Sequence, residues 1–222
     1  MAALSIGSRV RIVSYNLFGL NQGKSLLTDL CNTNECHIIM TQEHWQTPMN
    51  MQKIINFSSN YSGYGVSAME GAVSTSILRG RPWGGVCTLV HNELASQVKC
   101  LMCSERFVIL VIGSVFIINV YLPSYSRENH MLIETIFSEI HNIICLHPEF
   151  TIIVGGNFNS DLSGNSNGSR LIKEFMTKLK LVLCTDIIFP SNSSYTFRKN
   201  TENVSSFIDY FMISGEMVHQ LI

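Results

Sequence analysis

The 222-residue chain is 46% hydrophobic and only 14% charged, which indicates a folded protein and excludes a disordered one. Its formal net charge is −1, so no overall positive field indicates a polyanionic partner, and any such contact requires a local basic patch. This length suits one large α/β domain or two small ones. Because the sequence holds no internal repeat, heptad pattern or long linker, we predict a single domain over residues 1–222.

The first residues, Met1–Ser8, lack the charged flank and apolar core of a secretory signal. No apolar run approaches the roughly 20 residues needed to cross a bilayer, so we expect no membrane contact. Seven cysteines at irregular spacing are typical of reduced thiols in an intracellular protein. Cys100 and Cys103 form a lone pair, whereas a structural zinc site needs four ligands.

In chain order, the first half predicts strands at 10–15, 37–42 and 86–91. Three leucines predict a short helix at 26–30. The segment 49–79 is rich in Ser, Asn, Tyr and Gly, and we predict irregular surface structure there. It closes with a basic and aromatic turn that runs from Arg79 to Gly85.

The second half opens with two apolar runs, 107–112 and 115–121, whose Gly113-Ser114 junction predicts a hairpin. Apolar residues at helical spacing predict a helix at 133–144 and another at 171–179. Between them, 150–154 predicts a buried strand that two glycines, Gly155 and Gly156, break. Short strands are predicted at 181–184, 195–197 and 207–213. This order predicts an α/β sandwich with two packed mixed sheets flanked by helices.

Polar side chains follow most of the predicted strands. If the sheets pack together, these side chains converge on one rim, as they do at strand ends in open α/β folds. They are Asn16, Glu43, Tyr121 with Arg127, Asn157 with Asn159, and Asp209. Hard oxygen ligands with amides, a phenol and a guanidinium suit Mg²⁺ held by few carboxylates and a substrate phosphate. They do not suit zinc.

Each residue alone also has an ordinary structural interpretation. Glu43 is then a solvated turn residue, Tyr121 is half-buried packing, and Arg127 faces solvent. Asn16 and Asn159 are then turn and cap formers. His44 has no partner signature, so we expect a structural role for it. Asp209 is harder to explain, because a charged group within an apolar strand is costly unless it is paired.

Seven short motifs now occur in the order of a known superfamily. They are Ser14-Tyr15-Asn16, Gln42-Glu43-His44-Trp45, Gly80-Arg81-Pro82-Trp83-Gly84-Gly85, Asn119-Val120-Tyr121-Leu122-Pro123-Ser124, Gly156-Asn157-Phe158-Asn159, Ser194-Tyr195-Thr196-Phe197 and Phe207-Ile208-Asp209-Tyr210. From about Val10 to Ile213 the chain resembles the endonuclease/exonuclease/phosphatase superfamily, with its deoxyribonuclease I-like fold. It is most similar to the apurinic/apyrimidinic-type endonuclease domain of non-long-terminal-repeat (LINE-type) retrotransposons.

The resemblance implies a Mg²⁺- (or Mn²⁺-) dependent attack of water on a DNA phosphodiester. The implied metal ligands are Glu43 and Asn16. Arg127, Asn16 and Arg81 would contact the DNA backbone, and the implied catalytic set is Glu43, Tyr121, Asn157, Asn159 and Asp209. It further implies nuclear localisation and a reverse-transcriptase domain in a parent polyprotein. Nothing in the sequence indicates an oligomer.

The sequence departs from the family at two places. The family's Gly-Asp-Phe-Asn motif has its Asp replaced by Asn157, which keeps the shape of the side chain but cannot accept a proton. Losing a general base typically lowers the rate roughly 10²–10⁴-fold. Asp161 points elsewhere on its loop, so we do not expect it to substitute. The closing Ser-Asp-His element and its strand are also missing, and His219 has no preceding Asp; we therefore expect a fragment or a decayed copy.

These departures leave three hypotheses. The first is an endonuclease whose activity is impaired. The second is a catalytically inactive, retroelement-derived domain that binds DNA. The third is another phosphoesterase of the superfamily, acting on inositol phosphates, sphingomyelin or RNA tails.

Overall fold

A computed structural model describes residues 9–75, 80–184, 195–199 and 204–220. Several residues quoted above lie outside these ranges: Met1–Ser8, Arg79 and Ser194.

Two sheets of the described chain stack face to face. The first has four strands in the order β1-β2-β4-β3, namely β1 (Ile12–Asn16), β2 (Ile38–Gln42), β3 (Tyr61–Val66) and β4 (Val86–His91). β1 and β2 run parallel, and the other neighbours are antiparallel, so the sheet is mixed.

The second sheet has six described strands in the order β5-β6-β7-β8-β12-β9. Its strands are β5 (Val98–Cys103), β6 (Phe107–Ile112), β7 (Val115–Tyr121), β8 (Thr151–Asn157), β9 (Leu181–Leu183) and β12 (Asp209–Ser214). Only β7 and β8 pair in parallel among these neighbours. A separate hairpin joins β10 (Phe197–Lys199) to β11 (Val204–Ser206).

Helices cover the outer faces of both sheets. The helices of the described chain are α1 (Leu20–Asn32), α2 (Gln52–Ile55), α3 (Glu70–Thr75), α4 (Asn92–Ala95), α5 (His130–Cys145) and α6 (Asn167–Leu179). Two 3₁₀ turns lie at Pro48–Asn50 and Gly215–Gln220. None of the described helices is long and apolar enough to span a bilayer.

Side chains alternate across the strands because successive residues point to opposite faces. On β6, Phe107, Ile109 and Val111 join a core with α5 and α6, whereas Val108 and Leu110 face the first sheet. A third core lies between α1, α2 and the outer face of the first sheet. The predicted α/β sandwich of two packed mixed sheets flanked by helices is therefore confirmed.

The hairpin and the long helices follow the sequence closely. β6 and β7 have the predicted bounds, and the five buried residues of α5 are those predicted from helical spacing: Ile133, Ile136, Phe137, Ile140 and Ile144. The helix predicted at 26–30 is the C-terminal part of the longer α1.

Two predictions of local structure are wrong. Residues 49–75 of the segment 49–79 are not irregular surface structure, because β3 pairs along its whole length with β4 and buries Tyr61. The glycines after Val154 do not break their strand, since β8 continues through them to Asn157. At Gly156, φ is +141° and a Cβ would lie 2.0 Å from the Val120 carbonyl oxygen. Glycine there lets β8 lie against β7 rather than ending it.

A buried polar network joins the two sheets. The Asn119 Oδ1 atom of β7 accepts a hydrogen bond of 2.7 Å from Nε2 of Gln42 on β2. Its Nδ2 atom lies 3.2 Å from three acceptors: the carbonyls of Thr41 and Cys87 and the hydroxyl of Thr88. Because buried polar groups are costly without partners, this network fixes how β7 sits across β2 and β4.

Replacing Asn119 tests this constraint. Asn119→Ala removes the donor shared by the Thr41 carbonyl, the Cys87 carbonyl and the Thr88 hydroxyl, and it removes an acceptor of Gln42. We therefore expect the free energy of unfolding to fall by roughly 1–3 kcal/mol in urea titrations. Asn142→Ala, on the exposed face of α5, is the control and should change it by no more than about 0.5 kcal/mol. Equal effects of the two substitutions would contradict the structural role of the network.

Candidate active site

Five of the predicted site residues meet at one edge of the stacked sheets, which we call the rim. They are Asn16, Glu43, Tyr121, Asn157 and Asp209. β1 and β2 end there in register, with Asn16 opposite Gln42. In the second sheet, Tyr121 and Asp209 both pair with Asn157, from the strands on either side of β8. The register of three adjacent strands therefore aligns the polar side chains of the second sheet.

Glu43 lies at the centre of the contacts on the first sheet. Its Oε1 accepts a hydrogen bond of 2.9 Å from Nδ2 of Asn16, and its Oε2 accepts one of 3.3 Å from Nε1 of Trp45. Its backbone has a positive φ of 53°, an uncommon conformation for a residue other than glycine. A hydrogen bond from the Gly19 amide to the Glu43 carbonyl holds this turn.

Asn157 and Asp209 form a hydrogen-bonded pair in which Asn157 is buried and Asp209 is partly buried. The Asn157 Nδ2 donates to Oδ1 of Asp209 over 2.8 Å. Burial raises the pKa of Asp209, hydrogen bonds from Thr196 and Asn157 oppose the rise, and the charge of Glu43 adds to it. Asn157 is 2% exposed, and its Oδ1 has no hydrogen-bond partner among the described residues. The Asn157 amide thus donates a hydrogen bond to the Asp209 carboxylate, and its own Oδ1 remains as an acceptor at the rim.

Tyr121 connects the two sheets. Burial, together with the charge of Glu43 and a hydrogen bond to it, raises the pKa of Tyr121 to about 12, against the opposing effect of Arg106. The phenol is therefore protonated at neutral pH and acts as a hydrogen-bond donor. The Arg106 guanidinium lies 5.3 Å from the Tyr121 ring centroid.

Arg106 is a site residue that the sequence interpretation missed. The hairpin pairs Ile112 with Val115, and the pairing continues outward to Phe107 opposite Val120. One further step places Arg106 opposite Tyr121, whose amide donates to the Arg106 carbonyl over 2.8 Å. The register predicted from the Gly113-Ser114 turn contained this information.

The other predicted residues lie around the rim. Asn159 has a φ of 49° and donates its Nδ2 to the Leu122 carbonyl over 2.7 Å, so it holds the loop after β8 against the end of β7. The Arg81 guanidinium stacks 4.4 Å from the Trp45 ring centroid. Arg127 is exposed, and within the described residues no hydrogen bond or ion pair joins it to the rim. Its substrate contact stays a prediction.

Asp161 is occupied elsewhere, as expected. Its Oδ1 accepts hydrogen bonds from the Ser163 amide and hydroxyl, and its Oδ2 accepts one from the Phe207 amide. Burial raises the pKa of Asp161, but these hydrogen bonds outweigh it and bring the pKa below the ordinary value.

His44 has a structural role. The Gln46 amide donates to its Nδ1 over 3.0 Å, which leaves Nε2–H to donate to the Val66 carbonyl at 3.2 Å. Burial lowers the pKa of His44 to about 4, although the bond to Val66 favours the charged form. A Cβ on Gly85 would lie 2.3 Å from the His44 ring, so the glycine makes room for the imidazole.

The oxygen atoms at the rim fit Mg²⁺ better than a transition metal. No three His, Cys, Asp or Glu side chains of the described ranges cluster to hold an ion. The Glu43 carboxylate and the Asn157 Oδ1 are hard oxygen ligands, and Mg²⁺ takes few of these and fills its shell with water and phosphate. Asn16 orients Glu43 through Nδ2 while its Oδ1 accepts from the Phe18 amide, so its role as a ligand stays a prediction.

The sequence profile of the Endonuclease/Exonuclease/phosphatase family matches residues 13–220. The chain belongs to this family. Every residue of the rim falls within the matched span. A comparison with curated proteins gives no significant match.

Solved structures of family-type nucleases share the fold. One is a 3′ phosphatase from Neisseria, an Asp-to-Asn variant bound to a product DNA hairpin. Its TM-score is 0.73 at 14% identity, and the match covers 95% of this chain and 89% of the other. An AP endonuclease from Leishmania major has a TM-score of 0.73 at 13% identity, and the match covers 95% of this chain and 80% of the other. The endonuclease domain of TRAS1, a telomere-specific non-LTR retrotransposon, has a TM-score of 0.66 at 13% identity, and the match covers 95% of this chain and 88% of the other.

The buried neutral His44 makes stability depend on pH. Its pKa in the folded protein, about 4, lies below the 6.5 of the unfolded chain, so the unfolded state binds more protons between these values. We expect this residue to remove about 3 kcal/mol from the free energy of unfolding as the pH falls from 6.5 to 4. Urea titrations across this range measure it.

His44→Gln should flatten that part of the pH profile, because the glutamine amide does not titrate. His219→Gln, at an exposed histidine, is the control and should leave the profile unchanged. An unchanged slope in His44→Gln would show that other groups cause the pH dependence.

Proposed function

We propose that the chain is a nuclease-type phosphoesterase domain that binds the DNA backbone at the rim, with catalysis reduced by Asn157. The observation that carries this proposal is the convergence of Glu43, Tyr121, Asn157 and Asp209 from both sheets. Family membership and the nuclease structures that share the fold support it.

The charges at the rim call for a cation when a phosphate binds. Glu43 and Asp209 are carboxylates, and their charges repel a phosphodiester. Mg²⁺ held by Glu43, with the Asn157 Oδ1 as a further oxygen, would neutralise this charge and polarise the phosphate. On the opposite side, the protonated Tyr121 and the Arg106 guanidinium donate hydrogen bonds to phosphate oxygens.

Asn157 limits the chemistry that follows. Its Oδ1 accepts a hydrogen bond and so orients a water molecule, but a neutral amide does not take the proton of that water. Asp209 is already engaged by Asn157 and Thr196. We therefore expect binding to persist while hydrolysis runs roughly 10²–10⁴-fold slower than in a protein with aspartate at this position.

A retroelement origin of the domain rests on the motif order and on the TRAS1 neighbour. It implies DNA that contains a duplex as the substrate class, nicked at one strand. With this origin we also propose a nuclear location and a reverse-transcriptase domain in the parent protein.

The Asn157→Asp variant tests whether a cation binds at the rim. The substitution places a carboxylate where Nδ2 now lies 2.8 Å from Oδ1 of Asp209, so the pair repels unless a proton or cation binds. We expect the variant to melt several degrees below the wild type at neutral pH, and MgCl₂ to raise its melting temperature more than that of the wild type. Because the carboxyl pair keeps a proton in the folded state, its instability should lessen as the pH falls.

Asn142→Asp is the matched control, since it adds the same charge on an exposed position of α5. Its melting temperature should respond to MgCl₂ as the wild type does, with KCl fixing the ionic strength. The same Mg²⁺ response in all three proteins would contradict a cation site at Asn157.

Fluorescence anisotropy with a labelled duplex tests DNA binding. Arg106→Ala removes a phosphate donor from the rim and should weaken binding about tenfold at low salt. Arg11→Ala is the control: Arg11 pairs with Glu35 at the opposite end of the first sheet, and its loss should leave the affinity unchanged. Equal affinities of the wild type and Arg106→Ala would count against the rim as the DNA site.

Plasmid nicking separates an enzyme from a binding domain. The 222-residue chain is compared with its Asn157→Asp variant, each alone and each extended by the Ser-Asp-His segment of a family member. Nicking only after Asn157→Asp would make the natural chain a DNA-binding domain. Absence of nicking in every form would contradict the phosphoesterase proposal.

A further inference from the structure

An aromatic and cationic surface borders the rim beside Glu43. Phe18, Trp45 and Arg81 form it, and we call it the platform. The Phe18 and Trp45 ring centroids are 5.0 Å apart with a tilt of 58°, and the Arg81 guanidinium lies 4.4 Å from the Trp45 centroid. Phe18 is 63% exposed although it is a large apolar side chain. Trp83, in the same turn as Arg81, is 43% exposed.

The backbone holds the platform in a costly conformation. Trp45 has a φ of 53°, which is rare for a bulky side chain and is maintained only when the surroundings enforce it. The Trp45 amide donates to the Gly84 carbonyl over 3.0 Å. A Cβ on Gly19 would lie 2.5 Å from the Trp45 ring, so glycine at this position gives the indole its place. Such strain concentrates at functional surfaces.

The platform is connected directly to the residues that we assign to the phosphate. The indole Nε1 of Trp45 donates to Oε2 of Glu43, and the Phe18 amide donates to Oδ1 of Asn16. A group bound on the platform therefore lies beside the phosphate position. Arg81 covers Trp45, whereas the exposed ring of Phe18 offers a face to a ligand.

We propose that the platform stacks an unpaired nucleobase next to the phosphate held at the rim. Aromatic rings and guanidinium planes bind the π-face of any base, and a base within a duplex has both faces covered. The domain then prefers DNA with an overhang, a bulge or an unpaired nucleotide over a fully paired duplex. This inference rests on the proposed function, because it supplies the substrate class of the same site.

Anisotropy with two labelled duplexes in MgCl₂ tests the proposal, and gel electrophoresis checks that both duplexes stay uncut during the measurement. One carries a short overhang of thymidines, and the other carries an overhang of abasic residues with the same number of phosphates. The wild type should bind the base-bearing overhang about tenfold more tightly. Phe18→Ala should remove that preference without changing the affinity for the abasic overhang, and Phe18→Tyr should keep it.

Leu146→Ala is the matched control. Leu146 is 75% exposed and follows α5, close to the start of β8 and so at the opposite end of that strand from Asn157. Its removal should change neither affinity.

Tryptophan fluorescence gives a readout that a merely structural role of Phe18 would not reproduce. The chain has two tryptophans, so Trp83→Phe leaves Trp45 as the reporter. The base-bearing overhang should quench its emission and the abasic overhang should not.

The outcomes separate the two proposals. Equal binding of both overhangs by the wild type would overturn the platform while leaving DNA binding at the rim intact. An equal loss of both affinities in Phe18→Ala would also overturn it, since Phe18 would then support the fold of the rim. Absence of binding to either duplex would overturn the proposed function and the platform with it.

Discussion

The hydrogen bond between Gln42 and Asn119 is the constraint on which the rim depends. Glu43 follows Gln42 directly, and Tyr121 lies two residues after Asn119. A contact between the sheets therefore sets the distance between the carboxylate of one sheet and the phenol of the other. Apolar packing alone would allow the sheets to slide, because the hydrophobic effect is non-directional. The directional hydrogen bond between the buried Gln42 and Asn119 side chains fixes the relative position of the two sheets.

The loops at the rim contain several residues with positive φ angles, a backbone conformation that residues other than glycine normally avoid. Glu43, Trp45, Phe18 and Asn159 all have φ near 50°. Hydrogen bonds between the loops offset this strain: the Gly19 and Leu20 amides bind the turn after β2, and that turn binds Gly84. Three loops distant in sequence thus form one hydrogen-bonded unit, and a change in any of them alters the surroundings of Glu43.

The sequence alone indicated most strands but missed one in each sheet. Apolar, β-branched runs and the Gly113-Ser114 turn predicted β6 and β7 correctly, whereas β5 (Val98–Cys103) was not predicted. β3 has the sequence YSGYGV, whose glycines and tyrosines resemble a loop. It becomes a strand only because β4 offers a partner, which local propensity does not contain. Motif order predicted the members of the rim. Arg106 escaped notice because its role arises from the hairpin register, and Trp45 was named only as part of a motif because its role arises from ring stacking.

The pairing of Asn157 with Asp209 has a consequence for how long DNA would stay bound. With an amide at this position the rim is complete without a cation, so no repulsion between neighbouring carboxylates has to be relieved before folding. Under the proposed function, one negative charge fewer faces the phosphate, so the phosphate would leave more slowly. The same side chain would then suppress turnover and lengthen the residence time of the complex.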